Sequence, residues 1–250
     1  MEVPGGRGIR QIPDDVLNQR DLNPSLFYAK FAAWKVGETP DKEKHIERMI
    51  KLGSWPPNLS DLARYLHKGA HRTFSMKTAT RLLIGRANPS VFEQGIAIHP
   101  LWGFPFLAGS SVKGAVRHWA METEKDETLI RTIFGSEPDT DTDKSKGQIV
   151  FFDAIPLQSN CLEKEVFAPH YPNYYSGKAD LPSDAEKPNI FLLPAVKRGI
   201  NFKFSIKLSM KTAESSEGKD ILKHAETWIK SALIEFGIGS KTSSSYGYFE

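Results

Sequence analysis

The clearest hydrophobic pattern lies in the last third of the chain. Ile221, Leu222, Ala225, Trp228, Ile229, Ala232, Leu233 and Phe236 recur at helical spacing, and Gly237 stands where such a helix would stop. Ahead of it, Phe202, Phe204, Ile206 and Leu208 alternate strictly with other residues, the period of a strand facing a core. Residues 190–196 read as another strand, and KRG at 197–199 as a hairpin turn between the two. Phe74, Met76, Thr78, Thr80, Leu82 and Ile84 also alternate, which predicts one long first strand. After the Gly/Pro-studded PLWGFPFLAG, Val112, Ala115, Val116 and Trp119 form the apolar stripe of a helix that Ser110 or Ser111 would cap. Residues 149–152 are a short apolar run suited to a buried strand, and 246–249 close the chain as a short strand.

Strand, helix, strand, strand, helix, strand is the split βαβ order. The predicted fold is α+β: a ferredoxin-like, RRM-like βαββαβ domain over residues 71–250. A long thumb-like insertion occupies about 157–188, a stretch rich in Pro, Tyr and Asp without a regular pattern. No RNP-type aromatic signature marks the strands, so RNA binding by this domain would use loops rather than a stacking sheet. Residues 1 to about 25 read as extended. Residues 26–34, 42–52 and 60–67 read as short helices, with WPPN at 55–58 as a connector and Gly69 as a stop. These make residues 1–70 an N-terminal helical extension.

Composition narrows the chemistry. The 250 residues are 40% hydrophobic, enough for a sizeable core in one large domain or two small ones. Lys and Arg number 33 against 30 acids, a net charge of only +3, so any polyanion site must come from local placement of bases. Cys161 is the single cysteine, which excludes an internal disulfide and any Cys/His zinc pattern and suits a reducing compartment. The N-terminal residues hold no apolar signal core, and no run approaches the roughly 20 apolar residues of a membrane span. The expectation is a soluble, cytoplasmic chain that makes no use of a membrane. Neither a cofactor nor a metal is implied: Asp139, Asp141 and Asp143 alternate, but the Gly and distal Glu of a calcium loop are missing.

Four segments carry candidate chemistry. In LAGSSVKGAVR (107–117), Gly109 permits a tight turn and Ser110 and Ser111 open a helix whose free N–H groups suit a phosphate. Lys113 and Arg117 share one helix face beside that pole. The alternative is an ordinary capped helix with solvated bases. In GIGSKTSSSYG (237–247), Gly237 and Gly239 expose backbone amides, Ser240, Thr242 and Ser243 offer hydroxyls, and Lys241 adds a charge. It is no P-loop, because it follows a helix and precedes a strand; the alternative is a flexible connector. In APHYPNYYSG (168–177), His170, Tyr171, Tyr174 and Tyr175 suit wedging or stacking against a nucleic-acid strand, or equally a protein contact. His99 could contact RNA, support the loop, or serve as a general base for RNA cleavage.

GIAIHPLWGFPFLAGSSVKGAVR, KGQIVFFDAIP, APHYPNYY and FGIGSKTSSSYGYF, in this order, resemble the RAMP superfamily, the repeat-associated subunits of CRISPR systems. Within it they are most similar to the sixth-subunit branch of the type III-B, or Cmr, RNA-targeting effectors. The resemblance covers residues 74–249. Ala108 stands where the helix-start motif usually has proline, and Ser245 where the loop often has another glycine. The resemblance implies a non-catalytic RNA-binding subunit that caps a subunit filament toward the guide 3′ end in antiviral defence. Its expected partners are CRISPR guide RNA, target RNA and other Cmr subunits: the backbone subunit, the small helical subunit and the head-end RAMP subunit. Ser110, Ser111, Lys113, Arg117, Gly237, Gly239, Ser240, Lys241, Thr242, Ser243 and His99 would then line the RNA path. His170, Tyr171, Tyr174 and Tyr175 would form a thumb between guide and target. A metal-independent guide-processing endoribonuclease using His99, and a pure protein-interaction module, are the competing readings.

Overall fold

A computed structural model describes residues 10–11, 22–32, 41–52, 58–88, 90, 95–124, 126–136, 145–168, 170–183, 187, 190–209 and 216–250. The front of the chain supplies β1 (Arg10–Gln11), α1 (Pro24–Lys30), β2 (Phe31–Ala32), α2 (Lys42–Leu52) and α3 (Leu59–Leu66). The helix expected over 26–34 is thus shorter, because β2 pairs in parallel with β1 directly after Lys30. Trp34 and the WPP of the connector lie outside the described residues, whereas Asn58 caps α3 by accepting from the Asp61 N–H. α1 and α2 share the core of the main sheet, and Leu59 and Ala63 of α3 pack in a second cluster with Phe104 and Ile155. Phe27, Tyr28, Ile46, Met49 and Leu52 are buried in the same cluster as the main sheet.

That sheet is built on β8 (Asn201–Leu208), which lies antiparallel between β3 (Arg72–Lys77) and β4 (Ile149–Phe151). The short β5 (Ile155–Pro156) pairs with β8 further along. The alternation of Phe202, Phe204, Ile206 and Leu208 sends all four into the core under α4 (Gly109–Thr123), α5 (Glu127–Phe134) and α7 (Ser216–Glu235). Phe134 packs between Phe151 and Trp228, with ring centroids 5.9 and 6.1 Å away. α5 has no counterpart in the sequence reading; Asp126 caps it by accepting from the Leu129 N–H.

The long first strand does not form as one element. Residues 72–77 pair with β8, then the partner strand runs out at Asn201. The chain keeps an extended course but changes neighbours: Thr78 bridges Phe249 and Leu82 bridges Val196. The final strand expected over 246–249 reduces to that single bridge, reinforced by reciprocal bonds between Lys77 and Glu250. The C-terminal segment therefore lies beside β3, giving the lateral order C-terminus, β3, β8, β4.

The stretch expected to be irregular, 157–188, contains β6 (Leu162–Phe167) and the one-turn α6 (Pro172–Tyr175). β6 pairs in register with β7 (Phe191–Val196), from Leu162 with Val196 to Phe167 with Phe191. Its pattern was hidden because the buried Glu165 occupies an inward position while Val166 points out. The KRG turn exists, with Gly199 at φ +81°, but it joins two sheets: β7 pairs with β6, and β8 with β3 and β4. The Asp139, Asp141 and Asp143 run lies outside the described residues. Among the described residues no helix is long and apolar enough to cross a membrane.

Gly247 sits at φ +81°, and a Cβ there would lie 2.0 Å from the Ile238 carbonyl oxygen. Gly247→Ala should lower stability by about 2 kcal/mol or more, read as a fall in the urea midpoint. Gly114→Ala, on an open face of α4, should leave it unchanged or raise it. His45 is fully buried between the rings of Phe27 and Tyr28, at centroid distances of 4.6 and 5.4 Å. Burial lowers its pKa to about 4, against a weaker opposing pull from the Tyr28 backbone. A histidine held neutral in the fold stabilises it fully above the unfolded pKa of about 6.5, and this contribution is lost as pH falls toward 4. Urea titrations should show a loss of about 2 kcal/mol between pH 7.5 and 5 from this group, and His45→Phe should reduce that loss.

Candidate nucleic-acid interface

α4 begins at Gly109, with Ala108 as N-cap at φ −58°, a value proline would also adopt. Neither Ser110 nor Ser111 caps the helix, and the N-cap makes no side-chain bond. The cap comes from elsewhere: the Gly109 N–H donates to Asp153 Oδ1 at 2.7 Å, from the segment between β4 and β5. Gly109 itself is needed because a Cβ would lie 2.2 Å from the Phe151 carbonyl oxygen. The Ser111 and Val112 N–H groups turn back to the Ala108 carbonyl. The pole expected to hold a phosphate is thus met by a carboxylate of the protein.

Helical geometry separates the side chains of this segment. Val112, Val116 and Trp119 face the core. Ser110, Lys113 and Arg117, spaced i, i+3, i+7, share a second face, and Ser111, Ala115 and His118, spaced i, i+4, i+7, a third. The third lines a groove with the glycine-rich loop. Ser111, Ala115 and His118 line one wall of a groove of about 610 Å³; Gly237, Gly239, Thr242, Ser243 and Tyr248 form the other. His118 packs edge-on against Phe236 at 5.5 Å, and Glu235 at the groove floor accepts from Trp119 Nε1 at 2.8 Å.

The glycine-rich loop is a built turn. Gly237 ends α7 at φ +69°, and a 3-10 turn, Thr242–Ser244, is bracketed by Lys241 and Ser245 in the left-handed region at φ 62° and 64°. Ser245, in place of a glycine, therefore adopts a conformation that side chains disfavour. Several amides of the loop point inward. Ile238 N–H donates to the Gly247 carbonyl at 2.9 Å, Ser240 N–H to Leu83 at 2.8 Å, and Gly247 N–H to Arg81 at 2.8 Å. Gly239 is required because a Cβ would lie 2.5 Å from the Leu83 carbonyl oxygen. Thr242 and Ser243, at the start of the 3-10 turn, line the groove. Lys241 stands apart from the groove, its Nζ 4.8 Å above the Phe167 ring of β6.

His99 lies in neither group. Its Nδ1 accepts from the Leu101 and Trp102 N–H groups at 3.3 Å each, which leaves the ring proton on Nε2. It packs on Phe104 and Phe106, and partial burial lowers its pKa against the pull of Asp153. An Nδ1 already accepting two amides does not suit a general base. His170, Tyr171, Tyr174 and Tyr175 sit between β6 and β7; Tyr174 and Tyr175 are exposed and packed edge-on at 5.6 Å. Tyr171 is at φ 64° and touches His170 at 6.0 Å.

The structure thus joins Ser111 with Gly237, Gly239, Thr242 and Ser243, and leaves Lys113, Arg117, Lys241 and His99 outside that groove. Asp153, His118 and Glu235 were missed. His118 was legible from its helical spacing to Ser111, whereas nothing local in FFDAIP marks Asp153 as a cap.

Two curated relatives are similar in sequence. The "CRISPR system Cmr subunit Cmr6" of Pyrococcus furiosus is 25% identical over 85% of this chain and 79% of its own length. The "CRISPR system CMR subunit Cmr6" of Saccharolobus solfataricus is 29% identical over 80% of this chain and 64% of its own length. A chain in a cryo-EM structure of a type III-B Cmr-beta complex bound to cognate target RNA has a similar fold, with TM-score 0.54 and 23% identity over 71% of this chain and 57% of that one. The family model of the RAMP superfamily matches residues 75–250, so the chain belongs to that superfamily.

Proposed function

We propose that this chain is a non-catalytic RNA-binding subunit of a type III-B CRISPR effector, at the position of the sixth subunit. Both curated relatives carry that subunit's name, and the lateral order C-terminus, β3, β8, β4 with α4 and α7 on one face matches a ferredoxin-like RAMP core. The observation that carries the reading is the groove in which α4 and the glycine-rich loop converge, with Ser111, Thr242 and Ser243 hydroxyls on its two walls. Hydroxyls and nearby cations engage a sugar–phosphate backbone without reading bases. A guide strand in the groove that crosses the 3-10 turn meets Lys241 on the far side, and Lys113 flanks the α4 wall. Asp153 fixes the start of α4, and phosphates are held by side chains rather than by the helix pole. The β6–β7 hairpin, with Tyr171, Tyr174 and Tyr175 near its end, acts as a thumb that wedges between guide and target, at an unstacking cost of a few kcal/mol per step. Other Cmr subunits and target RNA complete the assembly.

Ser243→Glu, which sets a carboxylate at the groove, should weaken binding of the full chain to single-stranded RNA of any sequence by at least tenfold at low salt. Lys113→Ala combined with Lys241→Ala should weaken it and flatten its salt dependence. Fluorescence anisotropy reads both; wild-type affinity in both variants rejects the reading. Sequencing of RNA co-purified with the chain should return repeat-derived guides of defined length.

A further inference from the structure

The buried carboxylate of Glu165, on β6, plays no part in the groove. Glu165 is 6% exposed, and its Oε2 lies 3.1 Å from Arg81 Nη1, while Arg81 Nε binds Glu163 Oε1 at 2.5 Å. The Tyr246 hydroxyl lies near the Glu165 carboxylate; burial and then that carboxylate raise the tyrosine pKa. The Tyr246 ring sits 5.7 Å from Phe167, which stacks on Phe191 at 5.5 Å and carries the Lys241 ammonium on its face. Arg81 also holds the loop through its backbone, since its carbonyl accepts from the Gly247 N–H.

One buried charge therefore connects the hairpin to the loop that bears Lys241. A buried ion pair adds little net stability over an apolar replacement, but it fixes geometry, because a carboxylate in a low dielectric tolerates few arrangements of its partners. Lysine otherwise spreads over many rotamers. The aromatic platform restricts that spread, and the platform's own place depends on Tyr246 and β6. Beside this network a cleft of about 570 Å³ opens between Arg81, Glu163, Arg198, Ser244 and Tyr246.

We infer that Glu165 is a positioning residue for the RNA grip: through Arg81, Tyr246 and Phe167 it fixes where the Lys241 ammonium meets a phosphate. The inference rests on the RNA-binding reading above.

The test is a salt titration of the full chain binding a labelled single-stranded RNA. Lys241→Ala should reduce the slope of log affinity against log salt by about 0.7, the share of one single-strand phosphate. Glu165→Gln, which keeps size and removes charge, should reduce it equally, and adding Lys241→Ala to it should cause no further loss. Tyr246→Phe keeps the ring, removes the hydroxyl, and should shift the slope in the same direction; it carries the test if Glu165→Gln does not fold. A wild-type slope in Glu165→Gln and Tyr246→Phe, or losses that multiply with Lys241→Ala, overturns the inference, since a general loss of structure is independent of Lys241. Should Lys241→Ala be silent while Ser243→Glu weakens binding, the inference fails and the RNA reading stands. Silence in all variants removes both.

Discussion

Residues 77–83 are hydrogen-bonded on two sides, and the rest of the molecule is arranged around that fact. On one side Lys77 exchanges bonds with Glu250, Ala79 donates to Tyr248, and Arg81 and Leu83 accept from Gly247 and Ser240. On the other, Leu82 exchanges bonds with Val196 of β7. A buried backbone amide or carbonyl without a partner is costly, so this short extended segment fixes the glycine-rich loop and the β6–β7 hairpin relative to the main sheet. The loop's glycines follow from this packing. Gly239 and Gly247 bring backbone against the carbonyls of Leu83 and Ile238 at distances no side chain permits.

The same saturation changes the chemistry of the candidate interface. An amide that holds the loop to its neighbour cannot also hold a phosphate. The amides of Ile238, Ser240 and Gly247 are held by the protein itself, as is that of Gly109 by Asp153, while Ser111, Thr242 and Ser243 line the groove. In the proposed reading such contacts would position a strand without reading its bases.

Charge is used sparingly and locally. The net charge of +3 gives no broad attraction. Instead, ion pairs tie elements together: Lys164 to Glu43 and Glu47 joins β6 to α2, and Arg72 to Glu226 joins β3 to α7. α1 and α2 share the core of the sheet, so the hairpin is braced from α2 as well as from the loop.

The amino-acid sequence by itself determined the elements with an uninterrupted period. α2, α4, α7 and β8 stand where the apolar spacing puts them, because burial of one face is dictated locally by side-chain order. The glycines at 109, 237 and 239 and the family motifs were also legible. Tertiary structure alone decided the partners. The alternation from Phe74 to Ile84 is real, yet it spans three neighbours, since a period records which way a side chain points and not which strand lies alongside. β6 escaped notice because its inward position holds Glu165, a charge that becomes tolerable only when Arg81 and Tyr246 arrive from distant parts of the chain. Likewise, which face of α4 meets the loop, and that Asp153 occupies its pole, depend on packing between segments far apart in sequence, where local spacing carries no information.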